Sequence, residues 1–273
     1  MDNIKHLDPI NGPELAADLR FDINDGRLGR LLKLANADPD TPLSRRYRKI
    51  LMPVFTRPND PFMAAEVRNI AQQTIDECIV AGSAEIVTEF ALPIESRALA
   101  LLLNVPVDDA EEWISWGPRA TEDNRRVAAV DAYVDRQLDR ARLRPGNDFF
   151  GLLAEIDRHE DTLDRTDMRN FAGLALAEGR DLAISLIADA LACLAERPHE
   201  LDELRRKPSM IGATACAFIA DDLGDGHWRS HARLVLRSIL RVLSKRVERL
   251  TVLDSRVGRS GYERLLLNFK PLL

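Results

Sequence analysis

The chain has 273 residues, 45% of them hydrophobic and 30% charged, a globular composition long enough for one large domain. Its 38 basic and 44 acidic side chains give a net charge of −6 with both signs mixed along the sequence, which speaks against a nucleic-acid binder. Three widely spaced cysteines, Cys78, Cys193 and Cys216, form no CxxC pair, and the N-terminus carries charges with no apolar run of about 18 residues. This pattern argues against a disulfide framework, a cysteine-held zinc and a membrane span, and predicts a cytoplasmic protein with nothing cleaved from it.

Apolar residues recur three and four apart in most segments, so the expected fold is mainly α. Pro42 to Thr56 contains a basic helix, SRRYRKILMPVF, and Pro61 to Val80 an amphipathic one with Met63, Val67, Ile70, Thr74 and Ile75 on one side, ended by Gly82. Phe90 to Leu103 is an almost uncharged run, Pro106 to Trp116 opens with acidic Asp108 and Asp109, and Val130 to Arg142 is a charged helix. Val105-Pro106 and Arg144-Pro145-Gly146-Asn147 break the chain between them. The longest periodic segment starts at Thr166, a candidate N-cap, and runs to Arg197; a helix of that length would cross the whole domain at about 1.5 Å per residue. Short helices over His199 to Arg206 and Met210 to Ala220 follow. The loop LGDGHWRSH then leads into a basic helix from Ala232 to Val247, and the tail alternates around Thr251 to Leu253 and Tyr262 to Leu267, predicting a small hairpin or edge strands.

Several of these segments, taken in order, resemble bacterial cytochromes P450. SRRYRKILMPVFTRP is similar to the family's propionate-binding helix, and EIVTEFALPIESRALALLLNVPVDDAEEW to the region that carries its "LP…LLGVP" pattern. RPGNDFFGLLAEI is similar to the helix before the long I helix, NFAGLALAEGRDLAISLIADALACLAERPHELDELRRKPSMI to the I and J helices, LGDGHWRS to the haem loop, and RSGYERLLLNF to the closing strand. The resemblance implies a mainly α, truncated cytochrome P450-like fold with a long central helix and minor β structure at the C-terminus. It also implies one P450-like domain over residues 1–273, with the K-helix motif and the meander region missing before about residue 223.

The departures from the family pattern bear on function. Where the propionate-binding helix carries histidine and arginine, this chain has Ser44 and Arg48. Where the I helix reads small-Gly-x-acid-Thr, it has Glu178, Gly179, Arg180, Asp181 and Leu182, so the proton-delivering acid is kept and the hydroxyl is lost. TACAFIADD holds no ExxR. In the haem loop, where the family reads FGxGxHxCxG, Gly224 and Gly226 match, Arg229 lies within the vestigial loop, and Ser230 stands at the position of the cysteine. A thiolate trans to oxygen favours O–O cleavage, and a serine hydroxyl ionises far less readily than a thiol of pKa about 8.5.

Simpler readings stand beside the functional ones. Arg45, Arg46, Arg48 and Lys49 read first as the solvated face of a basic helix, with Arg48 retaining a case for a haem propionate. Glu178, Arg180 and Asp181 interrupt an apolar helix beside a glycine, which suggests a vestigial kink with an internal ion pair. His227 and His231, four apart near Asp225, could approach one metal, but surface histidines are the simpler expectation. Cys216 within AxAFI looks like core packing. Trp113 and Trp116 suit either an exposed partner patch or partial burial.

The resemblance and its departures together imply a catalytically silent, haem-free P450 homologue without catalytic residues or a metal. Gly179, Asp181 and Leu182 are then vestigial oxygen-activation positions. If such a protein acts, it acts as a binding or helper protein, as haem-free P450-like auxiliary proteins do for glycosyltransferases. The alternatives are a monooxygenase whose haem has a non-cysteine ligand, and a gene relic. Loss of the sheet and meander also predicts an uncovered face, closed by a protein partner or by self-association.

Overall fold

The computed structural model of the chain describes residues 53–54, 56–119, 124–160, 165–173, 176, 180–219, 228–258 and 261–272, of which the side chains of 156–160, 167, 170–171 and 228 are left out of the description. The basic helix expected over Pro42 to Thr56 lies almost wholly outside these residues, and Arg48 with it. Helix α1, Pro61–Ala81, starts where the sequence indicates: the Asp60 side chain accepts from the Phe62 amide and Pro61 occupies the first turn, where a missing N–H costs nothing. It stops at Gly82, whose φ of 79° suits a residue without Cβ. Buried Met63, Val67, Thr74 and Ile75 confirm the predicted apolar side.

Strand β1, Ser83–Glu85, follows, and then a π-helical turn, Ile86–Ala91. Glu85 organises this corner: its carboxylate accepts from the Thr88 amide at 2.7 Å and from the Leu265 amide at 2.8 Å, while Glu89 accepts from the Glu85 amide at 2.8 Å. One acidic side chain therefore caps a helical turn and holds the C-terminal strand beside it.

Helix α2, Leu92–Leu103, is buried along nearly its whole length and ends at Asn104 in the left-handed conformation. After it come α3, Asp109–Ser115, α4, Asn124–Leu143, and α5, Phe149–Glu160. Trp113, Trp116, Tyr133, Phe149 and Phe150 pack their rings at 5.4–6.5 Å between these three helices, mostly edge to face, as aromatic quadrupoles favour. Of the two readings of the tryptophan pair, burial is the one observed.

The long segment from Thr166 to Arg197 contains two described helices, α6, Arg165–Gly173, and α7, Arg180–Glu196. The first begins one residue before the expected cap. Helix α8, Pro198–Arg206, and α9, Ile211–Phe218, lead to α10, Trp228–Arg246. On α10 Leu234, Val235, Leu236, Ile239, Leu240 and Leu243 are buried, leaving Arg233, Arg237, Arg241 and Lys245 as an exposed row spaced by four. This helix packs against α1, α8, α9, α2 and α7. Arg205 of α8 donates to the Ser244 and Val247 carbonyls at 3.2 and 2.8 Å, satisfying acceptors that the end of α10 would otherwise leave open.

The tail is longer and more regular than its weak alternation indicated. Strands β2, Val247–Gly258, and β3, Gly261–Pro271, form an antiparallel hairpin, and β1 pairs with the far side of β3, so the sheet order is β1-β3-β2. Phe269, Leu267 and Leu265 of β3 are buried. Among the described residues no helix is long and apolar enough to cross a membrane.

Charge also joins α4 to α6. Arg165 meets Asp135 at 3.0 Å and Asp139 at 2.6 Å, and Arg169 meets Asp135 at 2.7 Å. Partial burial tends to raise the Asp135 carboxyl, but hydrogen bonds and charge from Arg169 and Arg165 outweigh it and hold the group below its ordinary value. A carboxylate lowered in the folded state stabilises fully above its unfolded pKa of about 4, and that share disappears as pH falls through the lowered value. Asp135→Asn should therefore be less stable than the parent at neutral pH, with the gap closing below about pH 4; urea unfolding at a series of pH values measures it, and a pH-independent gap would refute the assignment.

Candidate functional site

Several of the residues singled out in the sequence lie outside the described structure. Gly179, Gly224 and Gly226 are among those outside, as are Glu178, Asp225 and His227. The described members are Arg180, Asp181 and Leu182 on the first turn of α7, and Arg229, Ser230 and His231 on the first turn of α10.

Arg180 is fully buried. Its guanidinium donates to the Trp113 carbonyl at 2.8 Å and the Gly117 carbonyl at 2.7 Å, meets the Asp181 carboxylate at 3.3 Å and lies 5.9 Å from the Trp116 ring centre. Those carbonyls belong to the C-terminal end of α3, the end at which a helix favours a cation. Burial pulls the guanidinium below its ordinary value, while the charges of Asp181 and Glu95 oppose that pull. The internal ion pair read from the sequence is present, and its larger role is to fasten α7 to the end of α3. Asp181, the acid kept from the family pattern, is committed to this clamp. Leu182 is partly open to solvent.

One residue pair was missed by sequence reasoning. Glu95, on the almost uncharged helix α2, has no solvent exposure, and His231 is 1% exposed. Glu95 Oε1 and His231 Nε2 lie 2.9 Å apart. Glu95 Oε2 and His231 Nδ1 have no hydrogen-bond partner, and neither does the Ser96 hydroxyl. The surface histidine expected at 231 is thus corrected to a buried one. A signal was available: Glu95 is a lone acid within a run of apolar residues, which calls for a buried partner.

Ser230, one residue before His231, is exposed on the first turn of α10, and Arg229 is half-buried. Were a haem held at this segment, Ser230 would offer it a neutral hydroxyl. None of the three thiols lies in it. Cys78 is buried on α1, its thiol pushed up to about 12 by burial and then by the charges of Glu77 and Glu89. Cys193 is half-buried on α7 and also raised by burial. Cys216 is exposed on α9, which corrects the expectation of core packing. The donors present do not fit a thiolate-ligated haem. Among the described residues no group of three or more His, Cys, Asp or Glu side chains is placed to hold a metal ion.

No family model matches the chain. Individual relatives do match. Pentalenic acid synthase of Streptomyces avermitilis is 30% identical over 195 residues, covering 67% of this chain and 48% of the relative. Cytochrome P450-SOY of Streptomyces griseus is 26% identical over 191 residues, covering 67% and 45% respectively. The chain spans about half the length of these curated relatives. Among solved structures, a carbohydrate-active P450 superposes with a TM-score of 0.74 at 25% identity, covering 85% of this chain and 80% of that one. P450epoK with bound epothilone B gives a TM-score of 0.68 at 20% identity, covering 90% and 82%.

The buried pair sets an expectation for stability. His231→Leu leaves the Glu95 carboxylate buried without its partner and should cost about 3–5 kcal/mol, whereas the double change Glu95→Leu with His231→Leu should recover much of that loss. Thermal and urea melts of the three proteins decide this; equal melts for the single variant and the parent would show that the pair contributes nothing.

Proposed function

We propose that this chain, by sequence and fold a member of the cytochrome P450 superfamily, is a haem-free and catalytically silent member that acts by binding another protein. The observation that carries the reading is Ser230. In the resemblance read from the sequence it stands at the position of the family's cysteine, and it is exposed at the start of α10, offering a hydroxyl where the family's oxygen chemistry needs a thiolate.

Three further features support the same reading. Leu182 replaces the I-helix hydroxyl, and Asp181 is tied to Arg180 at 3.3 Å, so the acid that would move protons already serves the packing of α7 on α3. Only residues 219–227 separate α9 from α10, too short a stretch for the K-helix motif, sheet strands and meander of the family. The end of α9 correspondingly carries exposed Cys216 and Ala217. A helper role is in keeping with a helical scaffold that has exposed surface and no thiolate at Ser230.

The test is optical. Purified after expression with a haem precursor, the protein should show no Soret band and no shift of the ferrous form with carbon monoxide. A stoichiometric Soret band with such a shift would overturn the proposal and establish a haem protein with unusual ligation. Where the trace is flat, Ser230→Cys should leave it flat, because the stretch between α9 and α10 is too short for the K-helix motif and meander whatever the ligand.

A further inference from the structure

We propose that the cationic ridge of α10 is the docking surface for an acidic helix of a partner protein, laid across Arg233, Arg237, Arg241 and Lys245 with one carboxylate opposite each. The inference rests on the proposed binding role only in taking the partner to be a protein, and the side chains concerned lie beyond the haem-loop segment.

From Ala232 to Ser244 every residue of α10 is buried except Arg233, Arg237 and Arg241, and exposed Lys245 follows one turn on. The neighbouring helices and strand β2 cover the rest of α10, so it reaches the surface as one line of positive charge. At four residues a step the cations stand about 6 Å apart along the axis, and the line runs for about 18 Å. Apolar burial leaves one position in each turn outside, but it does not require a cation there. Acids alternating with bases would suit the same helix better, because like charges four residues apart repel.

Several cations elsewhere on the surface have acids of their own. Arg97 meets Glu111 at 2.8 Å, Arg136 meets Glu112 at 2.6 Å, and Arg246, at the end of α10 itself, meets Asp76 at 2.6 Å. None of the four ridge side chains forms an ion pair or hydrogen bond among the described residues, in a chain whose net charge is −6. A line of unanswered charge at a fixed pitch selects the shape of what answers it. A helix with acids four residues apart has the same pitch. Rows of that kind run obliquely to a helix axis, so two of them lie over one another when the axes cross at about 50°. An anionic membrane is a poorer match, because the residues flanking the ridge on α10 are buried and offer it no apolar side chain to insert.

Fluorescence anisotropy of a labelled helical peptide, with four glutamates spaced by four on one face, tests the proposal against the full chain. At low salt it should bind roughly tenfold more tightly than a peptide of the same composition whose glutamates are scattered around the helix. Added salt should weaken its binding. Combining Arg237→Glu with Arg241→Glu should cost roughly another tenfold. A peptide with lysines in place of the glutamates should then bind that variant better than it binds the parent, which also shows that the variant remains folded. No binding of the acidic peptide, equal binding of the two acidic peptides, or binding that the double variant leaves unchanged would overturn the proposal. Stronger, ridge-dependent attachment to phosphatidylserine vesicles would overturn it in favour of a membrane. None of these outcomes depends on a Soret band, so the ridge and the haem-free reading fail separately.

Discussion

The contact between Glu95 and His231 is the constraint around which the central helices are arranged. A carboxylate on the apolar helix α2 can remain in the interior only with a partner, and the imidazole at the start of α10 is that partner at 2.9 Å. The two residues are 136 positions apart in the chain, so the pair fixes how far α10 is rotated and how far it slides along α2. Arg180 performs the same service between α7 and α3, with its donors on the Trp113 and Gly117 carbonyls. Both ties are buried and polar, and both penalise any packing that separates their partners. Apolar surfaces alone would tolerate small shifts; these groups do not.

That rotation also decides what Ser230 can do. Successive residues on a helix point about 100° apart. With His231 turned inward to Glu95, the side chain before it is carried toward the surface, and Ser230 is exposed. The hydroxyl therefore comes from a fixed helical turn. An exposed hydroxyl and a histidine held by a carboxylate are adjacent features of one short segment.

Much of the helical order was legible because it depends on local rules. Asp60 and Gly82 bound α1, and Met63, Val67 and Ile75 mark its buried side. The order of segments was equally legible, since the family resemblance rests on motifs in sequence. Long-range partners were not. Nothing near His231 announces Glu95, and an imidazole flanked by Ser230 and Ala232 reads as surface until α2 is laid beside it. Cys216 failed in the opposite sense: its neighbours form an apolar pattern, but burial needs a covering element, and Cys216 is exposed on α9. The hairpin was underestimated because β3 alternates only over part of its length, while β2 is exposed on both faces beyond Thr251. Strand length there is set by pairing between neighbours, which periodicity along one strand does not report.

The ties that hold α10 and the positions singled out for chemistry are separate in this chain. Helix α10 is held by apolar burial along Leu234 to Leu243, by Arg205 at its C-terminal end and by Glu95 at its beginning. None of these contacts uses the side chain of Ser230. A change of side chain at that exposed position leaves every described tie of α10 in place and carries little penalty in stability. The same holds for Leu182, which is partly open to solvent while its neighbours Arg180 and Asp181 form the clamp. A scaffold whose ties avoid such positions keeps its shape whatever side chains they carry.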